Sequence, residues 1–272
     1  MIQAPPFEDR VVHHALVSII KPHLENKFIY DSYACRLNKG THKATFRLQQ
    51  FLRESKCNYV LKADIQKYFP SINNVILLDI LRNSIKDKHV LWLCATILDT
   101  FGLQVGALTS QLGANVYLNE LDHEIKDELS IPYYLRYMDD FIILGKNKDE
   151  LWGYYTYIKK YLMENLHLTL NRKTDVFPVS KGIDFCGYRT WSTHILPRKK
   201  TLKRAKRKFK KMSDLYSQNI IDKDYVESRL NSFLGYVKHC DAWDSTTSVL
   251  SELKLTRSPT DSNTHKLIKF AA

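Results

Sequence analysis

The chain predicts an α+β fold. Most of it repeats apolar residues at helical spacing. Between those segments lie short runs rich in aromatic and β-branched residues, the composition of strands. Two of these runs face each other in Tyr133–Leu144, which reads YYLRYMDDFIIL. Apolar arms around a two-residue polar centre predict a β-hairpin, with Asp139 and Asp140 together at the bend. Adjacent carboxylates repel, and burying one unpartnered is costly. A divalent cation removes that cost and supplies chemistry as well. Taken alone, Asp-Asp is more often an acidic turn in solvent.

In chain order, residues 7–24 place Val11, Val12, Ala15, Leu16, Ile19 and Ile20 on a helical stripe, with His13 and His14 on the helix surface. Residues 28–48 read as a strand, a turn near Asn38–Gly40 and a return into a helix. Arg36, Lys39, Lys43 and Arg47 put positive charge in or beside that turn. It is either a solvated loop or a cationic finger over a triphosphate, since Arg matches phosphate with paired hydrogen bonds. Residues 58–65 (NYVLKADI) form a short strand ending at Asp64. Tyr68, Phe69 and the helix-breaking Pro70 then make an active-site edge.

Residues 73–99 read as one or two helices, with Leu77, Leu78, Ile80, Leu81, Ile85 and Val90 among their core positions. Val105-Gly106 marks a turn, and Thr109 or Ser110 is the expected cap of a helix striped by Leu112, Val116, Leu121, Ile125 and Leu129. Gly106 leaves the backbone there open to a ligand. After the hairpin come an aromatic-rich helix over 149–165 and strand-like segments over 166–192. From 199 onward Leu202, Ala205, Phe209, Met212 and Tyr216 stripe one helix side, with lysine and arginine on the other. Further helices are expected over 223–239 and 243–255.

At 272 residues, 44% hydrophobic and 26% charged, the chain can bury a sizeable core in more than one subdomain. Its net charge is +12, and Arg189–Lys211 alone carries eleven Lys or Arg and no acid. So concentrated a block is the footprint of a polyanionic partner. Five cysteines (35, 57, 94, 186 and 240) form no CxxC pair, which indicates neither a zinc site nor a disulfide framework and fits a reducing cytoplasm. No apolar run has membrane-spanning length, and the first residues carry no signal-peptide pattern.

In this order the pieces resemble the reverse transcriptase family over nearly the whole chain. Tyr137-Met138-Asp139-Asp140 matches the polymerase hairpin motif. Asp64 with Phe69 five residues on matches the first catalytic motif. Gly106–Gln111 stands where the family has its glycine turn and helix. Leu170–Thr174 (LNRKT) resembles the lysine-bearing motif, and Phe185-Cys186-Gly187-Tyr188 the primer-grip turn. Within the family, SYACRLNKGTHKA, PFEDRVVHHAL and VGALTSQ resemble the enzymes of diversity-generating retroelements. Those copy a template-repeat RNA into cDNA, misincorporate mainly opposite adenines, and work with a small helical accessory protein. Group II intron and abortive-infection reverse transcriptases are the nearest alternatives.

The resemblance implies a right-hand polymerase fold: fingers and palm over 1–192, a basic helical thumb over 193–255, and a flexible tail over 256–272. It implies RNA-directed DNA synthesis with two Mg2+ ions (Mn2+ a possible substitute) on Asp64, Asp139, Asp140 and the Ile65 carbonyl. Lys173 would protonate the leaving pyrophosphate. Arg36 and Lys39 would hold the triphosphate, and Val105 and Gly106 would border the incoming nucleotide. Phe69, or Tyr68 beside it, would exclude a 2′-hydroxyl. Tyr137 and Met138 would touch the primer end, and Phe185 to Tyr188 its backbone. Lys199, Lys203, Lys206, Arg207 and Lys210 would follow the duplex phosphates.

Implied partners are template RNA, the cDNA primer–template duplex, deoxynucleotides and the accessory protein, with no membrane, in a cytoplasmic setting for a bacterial, archaeal or phage-encoded protein. An RNA-binding scaffold of the same fold without turnover is the rival, and the three acids argue against it. Two features depart from the family. Val105 stands where many members have Gln, and Gln111 where many have Pro; Val can only pack, which implies weaker geometric discrimination among bases. Met1 also falls close before the PFEDR segment, so the leading finger region is expected to be short.

Overall fold

The computed structural model describes residues 6–99, 102–104 and 106–256. The chain divides into two compact units, Met1–Cys186 and Gly187–Ala272, ahead of the boundary expected at 192. The first unit begins with α1 (Phe7–Glu25), α2 (Thr41–Glu54) and β1 (Tyr59–Asp64). Three helices follow, α3 (Tyr68–Ser71), α4 (Asn74–Ser84) and α5 (Lys88–Ile97), then the long α6 (Leu108–His123). Next come the hairpin of β2 (Tyr134–Tyr137) and β3 (Asp140–Gly145), then α7 (Lys148–Asn165), β4 (Asp175–Pro178) and β5 (Ile183–Phe185).

Four of these strands form one antiparallel sheet in the order β2-β3-β1-β4. Side chains alternate between its faces. Leu61, Ala63, Tyr134, Phe141 and Ile143 share a core with α1, α4, α6 and α7. Val60, Leu135, Ile142 and Leu144 pack instead with Ala44, Leu48 and Phe51 of α2 and with Ile183 and Phe185 of β5. A strand covered on both faces needs no polar alternation, which is why FIIL is a continuous apolar run.

Asparagine and aspartate cap α4, α5 and α7: Asn73, Asp87 and Asn147 each accept from backbone N–H groups of the first turn. The start of α6 differs from expectation. It begins at Leu108, without a side-chain cap. Thr109 is instead joined to His13 at 3.0 Å, and Ser110 is buried. In α1 the buried residues are Leu16, Val17, Ile20 and Leu24, whereas Val11, Val12 and Ile19 are exposed. The apolar residues of α1 run almost all round it, so spacing alone could not choose the inner face. Residues 28–40 form no strand. Their one bridge is Ser32 to Arg136, and Arg36 and Lys39 fold back onto the segment's own carbonyls, which satisfies the backbone without a ladder.

The second unit opens with β6 (Tyr188–Thr190) and β7 (Ile195–Pro197), paired antiparallel, and continues with α8 (Lys199–Ser217), α9 (Lys223–Val237) and α10 (Trp243–Leu250). Phe209, Met212, Val226, Phe233, Val237 and Val249 form its core. Among the described residues no helix is long and apolar enough to cross a membrane. Val105, and the expected tail beyond Thr256, lie outside the described residues.

Candidate active site

The two acidic motifs meet across the sheet. β1 and β3 pair so that Asp64 stands directly opposite Asp140. The turn joining β2 and β3 is Met138-Asp139, because Tyr137 pairs with Asp140. The bend therefore falls one residue earlier than expected: Asp139 lies in the turn and Asp140 on the strand. Met138 adopts a left-handed φ of 58°. A two-residue hairpin loop needs such a backbone for its twist to match the strands.

Asp64 is fixed from the other side. Its carbonyl accepts the Asn171 N–H at 2.7 Å, and its Oδ2 accepts from the Asn171 amide at 2.9 Å. Ile65 bridges Leu170, flanked by the bonds of Gln66 to Thr169 and of Asn171 to Asp64. In such a pair the Ile65 N–H and carbonyl both point away from Leu170. The N–H accordingly donates to the Asp139 carbonyl at 3.3 Å, and the Ile65 carbonyl lies on the same side.

Electrostatically the site is short of positive charge. Burial, with the Asp64 carboxylate adding to it, pushes the Asp139 carboxyl up. Burial also pushes Asp140 up to about 6, against the pull of Lys62. Lys62 Nζ lies 3.4 Å from Asp140 Oδ2, while Asp140 Oδ1 is buried with no hydrogen-bond partner. Among the described residues no three His, Cys, Asp or Glu side chains are grouped to hold a metal by themselves. Two facing carboxylates with an orphaned oxygen do fit a hard cation such as Mg2+, which is commonly held by one or two carboxylates and completed by substrate phosphate and water.

Around this centre, Phe69 is half-buried on α3 and meets Tyr68 edge-on at 5.8 Å. Tyr68 is sealed in the core and donates its hydroxyl to the Ala114 carbonyl, so of the two rings only Phe69 is accessible. Lys173 is exposed on a turn that Asn171 closes by accepting from the Lys173 and Thr174 N–H groups. Gly106 is exposed at φ 105°, just before α6. Tyr137 and Met138 are half-buried beside the acids.

Arg36 and Lys39 are anchored in their own loop. Arg36 Nη1 donates to the Ile29 and Ser32 carbonyls at 2.7 and 2.9 Å. Lys39 donates to the Tyr30 carbonyl at 2.7 Å and sits 3.5 Å from the centre of the Tyr30 ring. Burial, reinforced by nearby Arg36, lowers its pKa. Arg47 is paired with Asp31 at 2.8 Å.

In the Phe185–Tyr188 turn, Cys186 and Gly187 both have positive φ, 49° and 94°. Phe185 is buried in the first unit's core and Tyr188 in the second unit, where it stacks on Tyr236 at 4.9 Å. On α8, Lys199, Lys203, Arg207 and Lys210 are exposed, but Lys206 donates to Ser248 at 2.6 Å. The denser cationic face is the neighbouring stripe, a concave surface lined by Arg198, Lys200, Arg204, Arg207, Lys208 and Lys211.

Sequence reasoning assigned no role to Asn171, Lys62 or Arg136. Lys62 and Arg136 had one visible signal: each is a cation flanked on both sides by apolar or aromatic residues in its strand.

A strand-end acid paired with a hairpin bearing two more, on a sheet backed by helices, defines a polymerase-type palm. The profile of the family described as reverse transcriptase (RNA-dependent DNA polymerase) matches residues 1–190, and the chain belongs to that family. Protein YkfC of Escherichia coli K12 is 26% identical over 233 residues, 68% of this chain and 61% of that protein. A putative COX1/OXI3 intron 2 protein of Saccharomyces cerevisiae is 21% identical over 66% of this chain and 29% of its own length. The chain thus spans less than two thirds of either relative. Among solved structures, apo telomerase from Candida tropicalis aligns with a TM-score of 0.57 at 13% identity, covering 88% of this chain and 48% of that one. At that identity the likeness is one of fold, and it agrees with the α+β polymerase architecture expected from the sequence.

Proposed function

We propose that the protein is an RNA-directed DNA polymerase that extends a primer on template RNA by nucleotidyl transfer. The observation that carries this reading is the pairing of Asp64 with Asp140 across β1 and β3, with Asp139 in the adjoining turn. Asp64, Asp139, Asp140 and the Ile65 carbonyl are the groups that would hold two Mg2+ ions, or Mn2+ in their place. Bound there, such ions polarise phosphoryl oxygens and activate the primer hydroxyl.

The chain's own residues do the rest. Asn171 orients Asp64. Lys62 balances the charge of Asp140. Phe69 stacks beneath the incoming sugar and excludes a 2′-hydroxyl. Lys173 donates a proton to the departing pyrophosphate. Arg36 commits two of its five N–H donors to the loop, and with Lys39 it sets a cationic wall for the triphosphate. Residues 1–192 serve as fingers and palm and 193–255 as a thumb, whose basic helix tracks hybrid phosphates by shape.

Within the family, SYACRLNKGTHKA and VGALTSQ support a diversity-generating retroelement enzyme, prone to error opposite adenines and assisted by a helical accessory protein. Val105 contributes to the low fidelity, and Val105→Gln should lower misincorporation at template adenines. The similarity to the COX1/OXI3 intron 2 protein favours a second placement among intron-associated enzymes. One experiment separates these: cDNA synthesis on defined RNA, with Asp139→Ala as control, sequencing the product. Adenine-directed errors support the first placement and an even, low error rate the second. Equal product from wild type and Asp139→Ala would overturn the polymerase reading.

A further inference from the structure

Arg136 is fully buried in β2, directly beneath the acidic turn. A guanidinium in such a place must have its N–H groups met. Nε donates to Asp122 Oδ1 at 2.7 Å and Nη2 to Asp122 Oδ2. Asp122, also fully buried, accepts from the Tyr134 hydroxyl at 2.6 Å as well. Nη1 turns the other way. It donates to the Met138 carbonyl at 2.9 Å and to Asn115 Oδ1 at 3.3 Å. The Asn115 amide in turn donates to the Ala34 carbonyl at 2.8 Å. One sealed cluster thereby joins α6, which carries Asp122 and Asn115, to the hairpin turn and to the loop that carries Arg36.

Stability alone accounts poorly for this arrangement. A buried ion pair is often matched or surpassed by apolar side chains of similar volume. What apolar residues cannot do is grip the Met138 carbonyl. That oxygen belongs to the peptide linking Met138, in its left-handed conformation, to Asp139. Fixing this peptide plane fixes the direction in which the Asp139 side chain leaves the turn.

We propose that Arg136 is a positioning residue: anchored on Asp122, it locks the Met138–Asp139 peptide and so sets how closely Asp139 approaches Asp64. The Asn115 branch registers the Arg36 loop against the same carboxylates. The inference rests on the proposed cation-binding role of Asp64 and Asp139, and its test does not need turnover.

Mn2+ binding is measured from the free-ion paramagnetic resonance signal, with a primer–template duplex present, for wild type, Arg136→Lys and the double variant Asp122→Leu/Arg136→Met. A lysine supplies one point charge and cannot hold Asp122 and the Met138 carbonyl together. Both variants should bind Mn2+ roughly 10- to 100-fold more weakly, as when groups supporting metal ligands are lost. Their duplex affinity should be unchanged, and the half-saturating Mg2+ in primer extension should rise in parallel. A double variant that melts like wild type and binds Mn2+ as tightly overturns the proposal. So does the failure of both variants to fold, which would make the cluster purely structural, and so does a wild type that binds no Mn2+. Wild type that binds Mn2+ but extends no primer overturns the polymerase reading instead, while the Mn2+ shift still decides the role of Arg136.

Discussion

Asn171 holds Asp64 at two points, its backbone N–H on the Asp64 carbonyl at 2.7 Å and its side-chain amide on Asp64 Oδ2 at 2.9 Å. The residues are far apart in sequence, yet Asn171 settles both where β1 ends and how the carboxylate at its end is turned. Asn171→Ala should destabilise the fold by about 1–3 kcal/mol, the range for losing a hydrogen bond to a charged group. Primer extension should fall about tenfold or more, as when a group supporting a metal ligand is removed. Asn171→Asp, which sets a further negative charge beside Asp64, should fall further. Melting curves and single-turnover extension check both; an Asn171→Asp variant as active as wild type would contradict the assigned hydrogen bond.

The pH dependence follows from Asp140. Burial raises its carboxyl from an ordinary value of 3.8 to about 6, so the folded chain binds this proton more tightly than the unfolded one. Its contribution to stability therefore declines as pH rises from about 4 through 6 and is least favourable above that. Asp140→Asn should raise the melting point of the metal-free protein at pH 7.5, by an amount on the order of 1–3 kcal/mol in stability, and change it little at pH 4. If Asp140 holds a cation as proposed, extension needs its ionised form, so the rate should climb through pH 6, and the inflection should move lower as Mg2+ is raised. A rate flat between pH 5 and 7 would count against this.

On the proposed function, the accessible ring is the one that would decide sugar selection. Phe69→Ala should admit ribonucleotides, read as rNTP incorporation against dNTP incorporation on one template. Tyr68→Phe loses the buried bond to the Ala114 carbonyl. It should cost about 1 kcal/mol of stability and leave sugar selection unchanged. The reverse result would place the gate at Tyr68.

Two glycines separate backbone conformation from steric room. At Gly102 (φ 68°) an added Cβ would lie 2.8 Å from the Phe69 carbonyl oxygen and from backbone atoms of Pro70; at Gly106 (φ 105°) nothing stands within 4 Å. Gly106→Ala should therefore cost only the strain of the backbone, about 1–3 kcal/mol. Gly102→Ala adds a backbone clash, which should cost at least about 1 kcal/mol more, and it should also raise the dNTP KM by shifting α3 and Phe69. Urea melts of the two variants provide the comparison.

If α8 tracks hybrid phosphates as proposed, its cationic face should set the salt dependence. Removing Lys200, Arg204, Lys208 and Lys211 together should flatten the slope of log Kd against log salt for an RNA–DNA hybrid by roughly 3 to 4, about one for each phosphate no longer neutralised. Lys206→Ala, whose ammonium is held by Ser248, should change the slope little. Equal effects would mean the whole helix surface is engaged.

By itself the sequence determined most of the helices, the strand status of 59–64 and 140–145, the two acidic motifs proposed to carry the chemistry and the basic character of α8. Each is a local property, written as periodicity, composition or a short motif. Tertiary structure decided what spacing leaves open. Only the two-sided cover of the sheet distinguishes Ile142, facing α2, from Ile143, facing α6 and α7. The inner face of α1 depended on which of several apolar stripes found a partner. The β1–β3 register brought Asp64 opposite Asp140, and the bend moved to Met138-Asp139 because the strand pairing required it. Arg36 and Lys39, free cations to a reader of the sequence, became loop anchors once carbonyls lay within reach. Asn171 and Arg136 gained their roles in the same way, since a hydrogen bond between residues distant in sequence exists only after the chain has folded.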